Sequence, residues 1–126
     1  MKLSGKSIGQ SGFVCGIVLL TVLSVYPQPA PLPGEGIDKI EHALAYFMVG
    51  GVAILGYQHR FSPAWIACAL AVYGGIMEGV QYFLPSRFAE VWDIVANIVG
   101  VVVALIAVNG LTRLSVSRKI RNKTID

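Results

Sequence analysis

The sequence has few charged residues and few cysteines. Lysine, arginine, aspartate and glutamate together make up 13% of the 126 residues, while 55% of the residues are apolar. A soluble domain carries about 25% charged residues, so this composition argues against a soluble enzyme. The two cysteines, Cys15 and Cys68, lie inside apolar runs without the spacing of a metal or redox motif, which is typical of small apolar packing residues.

Several other functional signatures are also missing. The net charge is +3, but the basic residues lie at the ends of apolar runs and in the C-terminal segment, with no aromatic residues interleaved. This distribution argues against a nucleic-acid partner. There is no nucleophile motif and no short spacing of metal ligands, so the sequence predicts no bound metal and no cofactor. No internal repeat is visible, and residues 1–126 are predicted to form a single domain.

Four apolar runs of about 20 residues dominate the sequence, and this length is sufficient to cross a bilayer. We predict helices over 8–26, 38–57, 63–84 and 91–111. Pro63 follows Ser62 as a favourable first-turn residue, and the prolines after Tyr26 end the first helix. The predicted fold class is therefore all-α: a polytopic membrane protein with a bundle of four transmembrane helices.

The distribution of basic residues predicts the orientation of this bundle. The segment 26–33 offers no clean pair of small residues for signal cleavage, so the first helix is expected to stay attached. Positive residues near span ends are retained in the cytoplasm. Four crossings place eight of the ten lysines and arginines on one side: Lys2, Lys6, Arg60, Arg113, Arg118, Lys119, Arg121 and Lys123. Both termini are therefore predicted to be cytoplasmic, with 113–126 as a basic tail that marks topology.

Polar residues occur near the outer end of three predicted spans. Glu78 lies roughly 10 Å from the end of its helix at a rise of 1.5 Å per residue. A central charge in a bilayer costs about 2.5–3.5 kcal/mol, so such side chains normally face the bundle interior. Antiparallel helices with short loops are expected to bring the polar set into one outward-opening cleft, with Arg87 over its mouth. The set consists of Asp38, His42, Glu78, Gln81, Asp93 and Asn97.

These residues also have structural interpretations. The aspartates Asp38 and Asp93 are also explained as favourable charges at helix N-termini. The basic residues Lys39 and Arg87 are explained as interfacial anchors, and the amides Gln81 and Asn97 as interhelical hydrogen bonds. The position of Glu78 favours a functional role, because an acid two turns into lipid must be paired, protonated or hydrated. The glycine pairs 12/16 and 75/79 have the spacing of close helix contacts, and we predict that they are packing positions.

Three segments and one arginine resemble the VanZ-like family. They are D-K-I-E-H-A-L-A-Y from Asp38, Y-G-G-I-M-E-G-V-Q from Tyr73, D-I-V-A-N-I-V-G from Asp93, and Arg87. The resemblance covers about 38–107 and implies a bacterial inner membrane protein. The founding member of the family is associated with resistance to the glycopeptide teicoplanin. The family's characteristic polar residues match Asp38, Lys39, His42, Glu78, Gln81, Arg87, Asp93 and Asn97.

Two functions from different classes remain open. In the first, the cleft binds or modifies the polar head of a membrane lipid or lipid-linked cell-envelope precursor. His42 and Glu78 are the general acid/base candidates if a reaction occurs. The substrate-binding candidates are Asp38, Lys39, Gln81, Arg87, Asp93 and Asn97, among which Lys39 and Arg87 are expected to hold an anionic group. The alternative is a structural scaffold, including a homo-oligomer, or a small transporter, although the apolar inner halves of the helices disfavour a continuous conduction path.

Overall fold

The computed structural model describes residues 5–27 and 36–123, which are all-helical outside their short connections. The helices are α1 (Gly5–Val25), α2 (Ile37–Tyr57), α3 (Pro63–Tyr82) and α4 (Val91–Lys123). Each of these four is long and apolar enough to cross a membrane. The predicted all-α class and the number of candidate spans are thereby confirmed. The proline-rich connection, Lys2 and the last three residues of the predicted tail lie outside the described residues.

The start of α3 follows the local signals in the sequence. The Ser62 side chain accepts a hydrogen bond from the backbone N–H of Trp65 at 3.3 Å, and Pro63 occupies the first turn. The serine thereby satisfies one of the backbone donors that a helix leaves unpaired at its N-terminus. The helix ends at Tyr82, two residues before the predicted end, because a turn with a hydrogen bond from Leu84 N–H to the Gln81 carbonyl begins there.

The fourth helix is much longer than predicted. The sequence suggested an end at residue 111, but α4 continues to Lys123 and contains 33 residues. At 1.5 Å per residue its length is about 50 Å, compared with about 30 Å for the hydrocarbon core of a bilayer. Thr112 and Ser115 donate hydrogen bonds to carbonyls one turn earlier, at 3.0 and 2.9 Å, so these polar residues are accommodated within the helix. The described part of the basic tail therefore belongs to α4.

The helices pack closely where glycine removes the side chain. A Cβ atom at Gly9 of α1 would lie 2.6 Å from the Gly56 nitrogen of α2, and one at Gly100 of α4 would collide with the Ala43 carbonyl. Of the predicted packing pairs, Gly12 and Gly16 face Val52 and Val49 of α2, as their spacing suggested. Among the described residues, a Cβ at either position 75 or position 79 would meet nothing within 4 Å, so the predicted packing contact of that pair is not found there.

The buried core runs through the centre of the bundle, where α2 contacts the other three helices. It is built mainly from aliphatic residues and one tyrosine: Leu20, Tyr46, Val49, Ala53, Ala67, Leu70 and Val101. The small residues let the helix backbones approach, and the larger ones fill the space between them. This core supports the polar end of the bundle, where α1 and α3 end and α2 and α4 begin.

Candidate functional site

A polar cavity of about 220 Å³ lies at the end of the bundle where α2 and α4 begin. All four helices and the loop between α3 and α4 contribute to its wall. The structure brings six of the predicted site residues to this cavity: Asp38, His42, Glu78, Gln81, Arg87 and Asn97. The remaining two, Lys39 and Asp93, do not line it and lie beside Asp38.

Glu78 connects α3 to the start of α4. Its side chain is buried, and the residue is 5% exposed. Its Oε1 accepts a hydrogen bond of 2.7 Å from the backbone N–H of Glu90, directly before the first turn of α4. A helix N-terminus has unpaired N–H donors and a partial positive charge, and a carboxylate satisfies both. Glu78 thus has a structural partner while it also faces the cavity.

The imidazole of His42 is oriented by a residue of α4. Its Nδ1 lies 3.0 Å from Oδ1 of Asn97, a residue that is 2% exposed. Because an amide oxygen only accepts, the hydrogen bond requires that Nδ1–H donates. In the neutral ring the lone pair is then on Nε2, the atom that a general base uses. The adjacent Gly74 leaves room for this pair, since a Cβ there would lie 3.1 Å from Asn97 Nδ2.

Gln81 and Arg87 connect the cavity to the end of α1. Gln81 Nε2 donates a hydrogen bond of 3.1 Å to the carbonyl of Ser24, one of the last carbonyls of that helix. Arg87 donates a long hydrogen bond of 3.5 Å to the Tyr26 carbonyl. This bond is at the weak limit of hydrogen-bond geometry, so the guanidinium retains most of its donors for another partner.

Lys39 occupies a cluster of carboxylates beside the cavity. Its Nζ lies 2.9 Å from Asp38 Oδ2, 2.8 Å from Glu90 Oε2 and 3.7 Å from Asp93 Oδ1. The expectation that Lys39 binds an anionic group together with Arg87 therefore conflicts with its position, because its ammonium already faces three anions. Among the described residues that line the cavity, Arg87 is the side chain with a fixed positive charge.

Glu90 and Glu41 also belong to the site region, although neither was predicted as a site residue from the sequence. Glu90 contributes both the backbone donor to Glu78 and a carboxylate to Lys39, and Glu41 lines the cavity. Glu41 lies three residues after Asp38, a helical spacing that places both on one side of α2. Glu90 precedes a predicted helix by one residue, where an acid is a recognised helix-start signal.

Comparison with known proteins gives little functional information. No family model matches the sequence, and no solved structure matches it. A relative from Schizosaccharomyces pombe, described only as an uncharacterized protein, is 32% identical over 93 residues, which are 71% of this chain and 57% of the relative. The chain thus spans little more than half the length of that curated relative.

Proposed function

We propose that the chain is a polytopic membrane protein related to the VanZ-like family. We further propose that its polar cavity binds the head group of a lipid or lipid-linked cell-envelope precursor. The observation that carries this proposal is the convergence of His42, Glu78 and Arg87 on one cavity at the end of four apolar helices. The proposal includes a link to glycopeptide resistance only because the sequence resembles the VanZ-like family.

The outward surface of the bundle supports membrane insertion. Val72, Ile76 and Ile106 are 58%, 59% and 66% exposed, and many other large apolar side chains also point away from the core. Soluble monomers rarely expose apolar patches beyond a few hundred Å². A hydrocarbon environment satisfies such a surface, and the helices satisfy their own backbone hydrogen bonds there.

The charge pattern supports an extracytoplasmic cavity. The end that holds the cavity is opposite the end at which Arg60 and the basic last turns of α4 lie. By the positive-inside rule that basic end is cytoplasmic, so in this proposal the cavity faces the outer leaflet. A head group of the outer leaflet therefore has direct access to Arg87. That the membrane is a bacterial inner membrane is proposed from the resemblance to the VanZ-like family.

The size of the cavity favours binding of a lipid head group rather than of a complete lipid molecule. Pockets for drug-sized molecules have volumes of about 300–1,000 Å³, larger than the 220 Å³ found here. An apolar groove of about 770 Å³ lies between α1 and α3, in the half of the bundle away from the polar cavity. A hydrogen bond of 2.8 Å between the hydroxyls of Thr21 and Tyr73 lies between the two spaces. The groove extends to Tyr57 and Trp65 at the opposite end of the bundle, so it is separate from the head-group cavity.

Each polar group has a role in this proposal. Arg87 binds an anionic oxygen of the head group, while Gln81 and Asn97 supply hydrogen bonds. Asp38, together with Asp93 and Lys39 beside it, sets the charge at the wall. If bonds are made or broken, His42 acts through Nε2 as general base, and Glu78 is the second acid/base candidate.

A structural role is the second candidate, and the hydrogen bonds favour it. Glu78, Gln81 and His42 all have partners on other elements, so they also hold the bundle together. A homo-oligomeric scaffold would need no ligand. A transporter is less consistent with the packing, because the described core beyond the cavity consists of Ala53, Ile54, Leu70, Val101 and similar residues.

Native mass spectrometry distinguishes these candidates. The protein is released from nanodiscs containing phosphatidylethanolamine, phosphatidylglycerol and a polyprenyl phosphate, and the bound molecules are identified for wild type, Arg87→Gln and Glu78→Gln. We expect wild type to retain one anionic lipid and Arg87→Gln to bind it about ten- to hundredfold more weakly, as for loss of one hydrogen bond to a charged group.

Arg60→Gln is the matched control, because Arg60 lies at the opposite end of the bundle and contacts the Phe61 ring. It should retain the anionic lipid as wild type does. Equal lipid retention by wild type and Arg87→Gln, or wild type released without any lipid, would reject the binding function and leave the structural role. The molecule retained identifies phospholipid or envelope precursor as the ligand class.

A further inference from the structure

The carboxylates around Lys39 come from three separate places in the chain. Asp38 is in the first turn of α2, Glu90 ends the loop before α4, and Asp93 is in the first turn of α4. One oxygen from each lies within 4.8 Å of the other two. Three anions and one ammonium give this group a formal charge of −2, so Lys39 leaves the cluster incompletely neutralised.

Two carboxylate oxygens of these residues have no hydrogen-bond partner among residues 5–27 and 36–123. Asp93 Oδ1 is buried without a hydrogen bond, on a side chain that is 5% exposed, and its nearest cation, Lys39 Nζ, is 3.7 Å away. Asp38 Oδ1 is buried and unpartnered as well. A buried anionic oxygen without a partner is costly, since it has lost its water and gained nothing in exchange. Asp93 Oδ1 faces the Lys39 ammonium, which also contacts Asp38 and Glu90, so a cation bound in place of that ammonium would be its partner.

We propose that Asp38, Glu90 and Asp93 form an exchangeable calcium site in which Ca²⁺ replaces the ammonium group of Lys39. Ca²⁺ binds oxygen ligands at about 2.3–2.6 Å, so two oxygens on one ion lie up to about 5 Å apart. The spacing within 4.8 Å meets this requirement for all three carboxylates. Mg²⁺ needs shorter bonds of about 2.0–2.1 Å and an octahedral shell, so this spacing of carboxylates suits Mg²⁺ less well than Ca²⁺.

The site is open for exchange on one side. The side chain of Glu90 is 44% exposed, and that of Lys39 is 31% exposed, so water reaches the cluster while Asp93 closes its base. Lys39 has a flexible four-carbon chain, which lets its ammonium move away when a divalent ion arrives. The ion would neutralise the carboxylates at the beginning of both α2 and α4 and would complete its shell with water.

Calcium titration of purified, chelator-treated protein in detergent tests the site, with the melting temperature and calorimetric binding as readouts. We expect saturable Ca²⁺ binding by wild type at about 10⁻⁴–10⁻³ M, the range of weaker protein calcium sites, and weaker binding of Mg²⁺. Lys39→Met removes the competing ammonium and should increase the affinity about tenfold, the effect of losing several partly exposed ion pairs.

Asp93→Asn and Glu90→Gln should abolish saturable binding. The Glu90 variant is the safer one for folding, because its backbone N–H still reaches Glu78. Glu41→Gln is the matched control, a neighbouring acid outside the cluster that should bind Ca²⁺ as wild type does. Absence of binding by wild type up to about 10 mM, ten times the weak limit of that range, overturns the proposal. The proposal is also overturned if the Lys39→Met variant binds Ca²⁺ no more tightly than wild type. The same holds if the Glu90→Gln variant binds Ca²⁺ as well as wild type does.

Discussion

Glu78 illustrates how one side chain serves both the fold and the site. Its Oε1 accepts a hydrogen bond from Glu90 N–H while the residue faces the cavity. Removing one partner of a buried hydrogen bond costs about 1–3 kcal/mol, because the remaining group stays desolvated. Substitutions that remove the charge but keep an acceptor oxygen therefore separate the effect of the hydrogen bond on stability from the effect of the charge.

We predict that Glu78→Gln and Glu78→Leu differ in stability. The amide of glutamine keeps an acceptor oxygen for the Glu90 N–H, so this variant should lose less than about 1 kcal/mol, whereas leucine should lose about 1–3 kcal/mol. Unfolding by sodium dodecyl sulfate in mixed micelles, followed by circular dichroism, gives the free energies. Equal stability of the leucine variant and wild type would show that the hydrogen bond does not hold α3 to α4.

The pair His42 and Asn97 should show a measurable coupling. A double-mutant cycle with His42→Phe and Asn97→Leu isolates the interaction of the two side chains. Interhelical hydrogen bonds in membrane proteins average about 0.6 kcal/mol and reach about 1.7 kcal/mol, and we expect a value in this range. The same unfolding assay measures it. Additive effects of the two substitutions would exclude a direct bond between α2 and α4 at this position.

At the scale of helices, the contact of α2 with α4 depends on the absence of a side chain at Gly100. A Cβ atom there would collide with the Ala43 carbonyl, a backbone atom that moves only with its helix. Asn97 is one turn earlier on α4 and bonds to His42, which precedes Ala43. Any separation of these helices thus disturbs the polar cavity as well.

Gly100→Ala should destabilise the bundle by about 1–3 kcal/mol, the usual cost of overpacking. Gly75→Ala is the matched control, since a Cβ there meets nothing within 4 Å in the part of the chain that the structure describes. This substitution should be neutral or stabilise by up to about 1 kcal/mol through helix propensity. Unfolding in mixed micelles distinguishes the two variants. A tolerated alanine at 100 would contradict the close approach of α4 to α2.

At the scale of the molecule, four helices that cross a membrane place both termini on one side. The positive-inside rule predicts that this side is cytoplasmic, because Arg60 and the basic residues of α4 lie there. In that orientation the length of α4, about 50 Å, would carry its last turns roughly 20 Å past the hydrocarbon core. The exposed Arg118 and Arg121 are located in that extension.

A C-terminal reporter tests the orientation. We expect green fluorescent protein fused after residue 126 to fluoresce and alkaline phosphatase at the same position to be inactive. A phosphatase fusion in the connection between α3 and α4, after Ser86, is the control and should be active. The reverse result at the C-terminus would place the polar cavity on the cytoplasmic side and remove the basis for outer-leaflet binding.

Much of the element pattern was predictable from the sequence. Apolar runs of bilayer length predicted four helices because helix length in a membrane is set by a fixed thickness. Ser62 and Pro63 indicated the start of α3 since capping is a local interaction. The end of α4 was missed, because loss of apolar residues ends a span but not a helix, and good helix formers continued it to Lys123.

The all-helical architecture and the clustering of polar residues at one end of the bundle follow from the sequence alone. Depth along each helix follows from counting residues, since every residue adds a fixed rise. The partners of these residues, such as Glu90 for Lys39 and Asn97 for His42, are fixed by the packing of the helices. The rotation of each helix about its axis and the course of the loop before α4 set these contacts. Both depend on packing between distant segments, which no local pattern specifies.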